Sequence, residues 1–156
     1  MITAVDTNIL IEYRAAGSDR SVHARALLKA ASGEGLVIIC EIVYVELSAA
    51  YPERAQLDRF LSDLEISIWR TDTRALALAG RSWMSYAQRR PRSLTCPACG
   101  AVQAVQCHQC GEQLKPRQHV AADFMVGAHA VTYADQLLSR DAAVYRSYFP
   151  DLSVRY

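Results

Sequence analysis

The feature that most constrains this chain is a regular alternation of short apolar runs with longer stretches of helical period. Residues 2–6, 36–40, 65–69, 136–139 and 152–154 read as strands. Residues 21–31, 42–50, 54–64, 73–89, 120–134 and 142–148 read as helices between them. In the stretch 73–89, Ala75, Ala79, Trp83 and Tyr86 share one face, which makes a core stripe. Asp72 or Thr73 would cap its start and Pro91 would end it. Strands separated by helices imply an α/β fold with a parallel sheet, because a parallel pair needs a crossover between its strands. At 156 residues, 51% hydrophobic and 21% charged, the chain suits one globular domain with room for a small insertion. No internal repeat is visible. The alternation breaks between residues 94 and 118, which divides the chain into a first part at 1–93, an insertion at 94–118 and a second part at 119–156.

Several function classes are excluded at this level. No apolar run reaches membrane-spanning length, since Glu41, Glu46 and Asp123 interrupt the best candidates. The start lacks the basic flank and apolar stretch of a signal peptide. The expectation is a soluble cytoplasmic protein with no membrane partner. A net charge of +1 does not mark a nucleic-acid binder by itself. Basic residues do gather around the insertion, with Arg89, Arg90 and Arg92 before it and Lys115 and Arg117 near its end. They suit either a phosphate backbone or the solvated end of a helix.

Within the insertion, Cys96, Cys99, Cys107 and Cys110 form C-x2-C-x7-C-x2-C, each pair followed by glycine. A C-x-x-C-G turn aims two sulfurs at one point, and two such knuckles complete a tetrahedral four-thiolate site. The pattern predicts one structural Zn²⁺; iron in the same geometry, disulfides or a redox pair are the alternatives. Four protein ligands leave no open position for chemistry. The segment has few apolar side chains, and a structural zinc contributes on the order of 10–16 kcal/mol to folding in small fingers. His108 is expected to point outward, and Cys40 to be a buried free thiol.

Four carboxylates stand where a carboxylate should be costly. Asp6 follows the first apolar strand, and open parallel sheets bind ligands outside the carboxyl ends of their strands. Glu46 sits in Ile42-Val43-Tyr44-Val45-Glu46-Leu47, Asp123 in Val120-Ala121-Ala122-Asp123-Phe124-Met125-Val126, and Asp141 just beyond Leu137-Leu138. Asp6 and Asp141 are also residues a helix N-cap would use. Gathered together, each pair of acids would repel by about 4 kcal/mol at 4 Å in an effective dielectric near 20. A divalent cation resolves that conflict, and oxygen ligands select Mg²⁺ or Mn²⁺. Asn8 and Ser139 are expected as hydrogen-bond partners behind these ligands. Glu41 and Asp135 are read as capping or turn residues, and His129 as a packed core histidine. His119, four residues before Asp123, is a weaker candidate for facing the site.

Val5-Asp6-Thr7-Asn8, Glu46, Asp123-Phe124-Met125-Val126-Gly127-Ala128-His129-Ala130, Leu137-Leu138-Ser139-Arg140-Asp141, Tyr145 and Tyr148-Phe149-Pro150-Asp151-Leu152 together resemble the PIN-domain family. The likeness is strongest to its VapC-type toxin ribonucleases, and it spans the chain apart from the cysteine insertion. The resemblance implies a PIN-like three-layer α/β fold with a five-stranded parallel sheet ordered 3-2-1-4-5, here carrying an inserted zinc ribbon. It implies Mg²⁺-dependent RNA cleavage, a homodimer and a small antitoxin partner, with the acidic quartet on Asp6, Glu46, Asp123 and Asp141. The family often has Arg or a small residue where Gln118 and His119 stand. The expected function is an endoribonuclease toxin: Asp6, Asp123 and Asp141 hold the cation, and Glu46 is ligand or base for the attacking water. The rivals are an RNA-binding or assembly module that works through the ribbon with weak or no catalysis, and a flap-type DNA nuclease.

Overall fold

A computed structural model of the chain describes residues 1–15, 17–89, 93–96, 98–114 and 120–156. Arg90, Pro91, Arg92, Lys115, Arg117, Gln118 and His119, singled out above, lie outside these. Seven strands and seven helices occur among the described residues: β1 Ile2–Val5, α1 Thr7–Arg14, α2 Asp19–Glu34, β2 Leu36–Ile39, α3 Glu41–Ser48, α4 Arg54–Asp63, β3 Ile66–Ile68, α5 Thr73–Arg89, β4 Ser93–Thr95, β5 Val102–Ala104, α6 Ala121–Tyr133, β6 Gln136–Leu138, α7 Ala142–Tyr148 and β7 Val154–Arg155.

Five strands form one parallel sheet in the order β3-β2-β1-β6-β7, which is the expected 3-2-1-4-5 when the sheet's own strands are counted. Thr3, Ala4 and Val5 of β1 and all of β6 are buried, as strands covered on both faces must be. The core joins Val5, Ile38, Leu137 and Leu138 of the sheet to Ile9, Leu10, Leu47, Phe124 and Tyr145 of the helices. Gly127 of α6 faces the ring of Phe149, where an added Cβ would lie 2.3 Å from a ring carbon. Glycine there lets α6 lie close against the end of α7.

Chain order reverses between β1 and β6. Strands β2 and β3 build outward from one side of β1, and the chain then returns to its other side. Val5 pairs with Leu138, so the residues just past the two strand ends, Asp6 and Ser139, meet across this switch point. Crevices at such points are where open α/β sheets take their ligands.

The structure departs from the sequence reading in three places. Helix α1 was not expected, because Ile9-Leu10-Ile11 has no helical spacing of its own. It forms because Ile9 and Leu10 are fully buried in the packing of α1 on α2 and α3. The insertion contains a two-stranded antiparallel sheet, β4 with β5, where no strand was read. It also contains a repeat. Cys96 N donates to Ala101 O at 2.8 Å and Gly100 N to Cys96 O at 2.9 Å; Cys107 N donates to Glu112 O and Gly111 N to Cys107 O at the same distances. Thr95 pairs with Val102 as Gln106 does with Gln113.

Candidate active site

Asp6 follows β1 with extended backbone and occupies the N-cap position of α1, yet its side chain makes no capping bond. Its Oδ2 instead accepts from Ser139 Oγ at 2.6 Å, Asn8 Nδ2 at 2.8 Å and Tyr145 OH at 3.1 Å. All three donors crowd one oxygen, which leaves Oδ1 for another ligand. Asp141 is alike: it sits at the N-cap of α7 without capping it, and its Oδ2 accepts from Asn8 Nδ2 at 3.3 Å. Both residues occupy capping positions, but neither carboxylate is spent on capping. Ser139 joins the two, since its Oγ accepts from Asp141 N at 3.0 Å while donating to Asp6. Asn8 and Ser139, named from the sequence, both bond to these acids. Tyr145 was quoted only as part of a family motif, because an aromatic in a short helix otherwise reads as core.

Electrostatics mark the same place. Burial pushes the Asp6 carboxyl up to about 6; the Ser139 and Tyr145 hydrogen bonds pull it down, and the charges of Asp123 and Asp141 push it further up. Burial, followed by the nearby Asp6 and Asp123 carboxylates, drives the Tyr145 phenol far above its ordinary value. Asp6 thus feels both Asp123 and Asp141.

Two of the expected acids need correction in their setting. Asp123 does not lie deep within an apolar helix. It is the third residue of α6, half-buried, and its Oδ2 accepts from Val120 N at 2.8 Å. A carboxylate there is favoured by the free N–H groups and the dipole of the helix start, so it has a structural role beside any other. Glu46 is exposed rather than buried. It accepts a hydrogen bond from Thr7 Oγ1, which brings it to the residue beside Asp6.

The remaining polar residues have structural duties. Glu41 receives Thr71 N at 3.1 and 3.0 Å and Thr71 Oγ1 at 2.7 Å. Burial raises its carboxyl, but hydrogen bonds from its own backbone and from Thr71 outweigh that and leave it below the usual value. Asp135 accepts Ile2 N at 2.7 Å and so fastens the start of β1. His129 is buried in the core, with Nε2 3.0 Å from Trp69 O. Cys40 is a buried thiol, pushed up to about 11 by burial. Asp72 caps α5 by accepting Ala75 N at 2.8 Å.

Carboxylates are hard oxygen ligands, the amide NH2 and hydroxyls behind them act as hydrogen-bond donors, and the open Oδ1 of crowded Asp6 suits a divalent cation. Among the described residues, however, no three His, Cys, Asp or Glu side chains converge closely enough to hold a metal ion. That applies to the acids and to the cysteines. All five cysteines are free thiols. Each knuckle has a glycine in the left-handed region, Gly100 at φ 74° and Gly111 at φ 75°. Backbone N–H groups, and a hydrogen bond to the partner thiol, hold the thiols of Cys96 and Cys107 below their ordinary value. The two turns fit zinc as half-sites, and their sulfurs stand as two pairs.

The family model of the PIN domain matches residues 3–94. Comparison with curated protein sequences finds no match. Among solved structures, the chain is similar to a chain of VapBC2 from Rickettsia felis bound to a DNA fragment from its promoter, at 15% identity. That alignment covers 99% of this chain and 98% of the other, with a TM-score of 0.58. It is similar to a chain of FitAcB from Neisseria gonorrhoeae at 17% identity, covering 100% and 97%, with a TM-score of 0.60. A chain of FitAB bound to an IR36 DNA fragment gives 18% identity over 99% and 94%, with a TM-score of 0.58. At these identities the likeness is one of fold.

Proposed function

Because the chain belongs to the PIN-domain family, we propose that it is a metal-dependent endoribonuclease acting as the toxin of a toxin–antitoxin pair. Nuclease activity is what members of the family share. The observation that carries the reading is the bonding of Asp6: a buried carboxylate at the switch point, held by three donors on one oxygen and pressed by two further acids.

In this reading Asp6, Asp123 and Asp141 hold one or two Mg²⁺ or Mn²⁺ ions. A bound cation would make hydroxide available near neutral pH and offset charge on the scissile phosphate. Asn8, Ser139 and Tyr145 keep Asp6 turned so that Oδ1 faces the ligand. Glu46 takes the proton of the attacking water or adds a ligand, a role supported by its exposure and its bond to Thr7 beside Asp6. Water attack leaves 5′-phosphate and 3′-hydroxyl ends. Four sulfurs, from Cys96, Cys99, Cys107 and Cys110, hold one structural Zn²⁺ that folds the insertion at residues 94–118. That assignment is supported by the two matching turns and by Leu94, Val102 and Leu114, which stay exposed and build no core. A small antitoxin, a homodimer and a cytoplasmic location follow from the same reading. VapBC2 and FitAB, whose chains share this fold, were each seen on DNA as complexes. Among the described residues no helix is long and apolar enough to cross a membrane.

The test is cleavage of RNA and DNA of one sequence, side by side, with Mg²⁺, Mn²⁺ or EDTA. RNA should be cut to 5′-phosphate products, and Asp123→Asn should reduce cutting to background. Cutting in excess EDTA, or full activity of Asp123→Asn, would refute the metal reading. Expression of the chain alone should arrest growth, and its upstream neighbour should rescue it. A harmless wild-type chain would remove the toxin reading and leave the nuclease.

A further inference from the structure

One charged pair beside the acids is not explained by cation binding. Glu12 of α1 is 7% exposed, which is costly for a carboxylate without a partner. Its Oε1 receives the Arg140 guanidinium at 2.8 Å and its Oε2 receives Tyr156 OH at 3.2 Å. Arg140 lies between Ser139 and Asp141, and its backbone N donates to Asn8 Oδ1 at 3.2 Å. Asn8 is the residue whose amide touches Asp6, Ser139 and Asp141. The pair thus spans 128 positions of sequence to fasten the β6–α7 connection, with Asp141 on it, to helix α1.

The sign of the charge makes this contact more than a fastening. Arginine prefers carboxylates and is always protonated. Residue 140 stands next to a site made of carboxylates, where its guanidinium would compete with a divalent cation. In the structure that guanidinium is turned the other way, onto α1, and neutralised by Glu12. Tyr156 holds the second oxygen of Glu12, so the acceptor is itself oriented.

We propose that Glu12 is a positioning residue of the acidic site: by holding the Arg140 guanidinium against α1, it keeps that cation from occupying the place among Asp6, Asp123 and Asp141 that a divalent ion would take. This rests on the metal reading of the acids for its consequence, but the location of the guanidinium can be read without metal. Glu12→Gln keeps the shape and removes the charge. Side-chain ¹⁵N NMR of Arg140 in EDTA should then show its guanidinium resonances move. Adding Asp141→Asn to Glu12→Gln should move them again, toward the values of a free arginine. Mn²⁺ titration of the full chain should give about tenfold weaker binding for Glu12→Gln, with recovery to within about twofold of wild type in Glu12→Gln/Arg140→Met. A purely structural ion pair predicts lower stability in both variants and no such recovery. Resonances of Arg140 that do not respond to Asp141 in the Glu12→Gln background overturn the proposal, as does unchanged Mn²⁺ affinity or a double variant as weak as the single one. If wild type and Asp6→Asn bind Mn²⁺ equally, the metal reading fails on its own, and the NMR arms still decide where the guanidinium goes.

Discussion

The acids and the cysteines are assembled in opposite ways. Cys96 and Cys99 are paired by one tight turn, and Cys107 and Cys110 by a second with the same backbone bonds. Asn8, which bonds Asp6, reaches Asp141 across 133 positions of sequence, only because β1 and β6 are neighbours in the sheet. In the cysteine segment, backbone turns do the local work, but among the described residues Leu94, Val102 and Leu114 stay exposed rather than drawing the two turns together. In the acidic crevice a buried sheet forces like charges into range of one another. In the proposed reading, an ion would complete the packing of the first region, whereas the second has packing enough and an ion there would relieve its charge. The same element of chemistry, a bound metal, would therefore have opposite effects on folding: cooperative in the ribbon and compensatory in the crevice.

Substitution at Asp6 should separate the two kinds of dependence most sharply. Asp6→Asn should reduce cleavage to background while stabilising the fold. A carboxyl pushed up to about 6 from 3.8 means that the folded state holds its proton more tightly than the unfolded chain. Stability from that proton is complete below about pH 4 and is lost as pH rises through about 6. Above that, the charged Asp6 costs about 2–3 kcal/mol relative to a neutral isostere. Urea melts in EDTA should show the variant more stable than wild type by that order at pH 7.5, with the gap closing toward pH 4. A variant less stable than wild type at pH 7.5 would mean the crevice is not strained by charge.

The ribbon should respond in the reverse sense. Elemental analysis should find one zinc per chain, and Cys96→Ser or Cys107→Ser should lose it. Loss should unfold the insertion and leave the melting of the main domain nearly unchanged, because no described residue from 93 to 114 belongs to the buried core. Deleting residues 95–117 with a short linker should likewise leave a folded domain. Purified protein without tightly bound zinc would refute the assignment.

A smaller effect tests whether packing sets the crevice. Gly127→Ala pushes a methyl group into the Phe149 ring, and overpacking of this kind costs about 1–3 kcal/mol. Since α6 carries Asp123 and α7 follows Asp141, cleavage should also fall, while zinc content stays at wild-type level. Equal loss of zinc would show that the two regions are coupled.

Much of the fold was legible because its signals are local. Asp72 caps helix α5, and of the expected face the structure buries Ala75, Ala79 and Tyr86 and half-buries Trp83. The central strands read as short, mostly apolar runs, and the structure buries even their Thr3 and Gln136. Helix α1 was not legible, since two residues that bury completely, Ile9 and Leu10, adjoin an exposed Ile11, so the run shows no helical period of its own. Within the site, Asp6, Asn8, Ser139 and Asp141 were singled out and are brought together. Glu46 and Asp123 were singled out on the ground that they should be buried without partners, and neither setting is of that kind: one is exposed, the other begins a helix. Tyr145 and the Glu12–Arg140 pair were missed, because their chemistry depends on contacts made across the whole chain.

By itself the sequence determined what short-range physics can decide. Apolar periodicity set the α/β class, and Cys-x-x-Cys-Gly spacing set two turns whose glycines take positive φ. Only the tertiary structure decided which oxygen of Asp6 is bonded, why its proton is held, and which way Arg140 turns. Those outcomes depend on burial and on charges brought close from opposite ends of the chain, and neither burial nor distance exists until the sheet has closed.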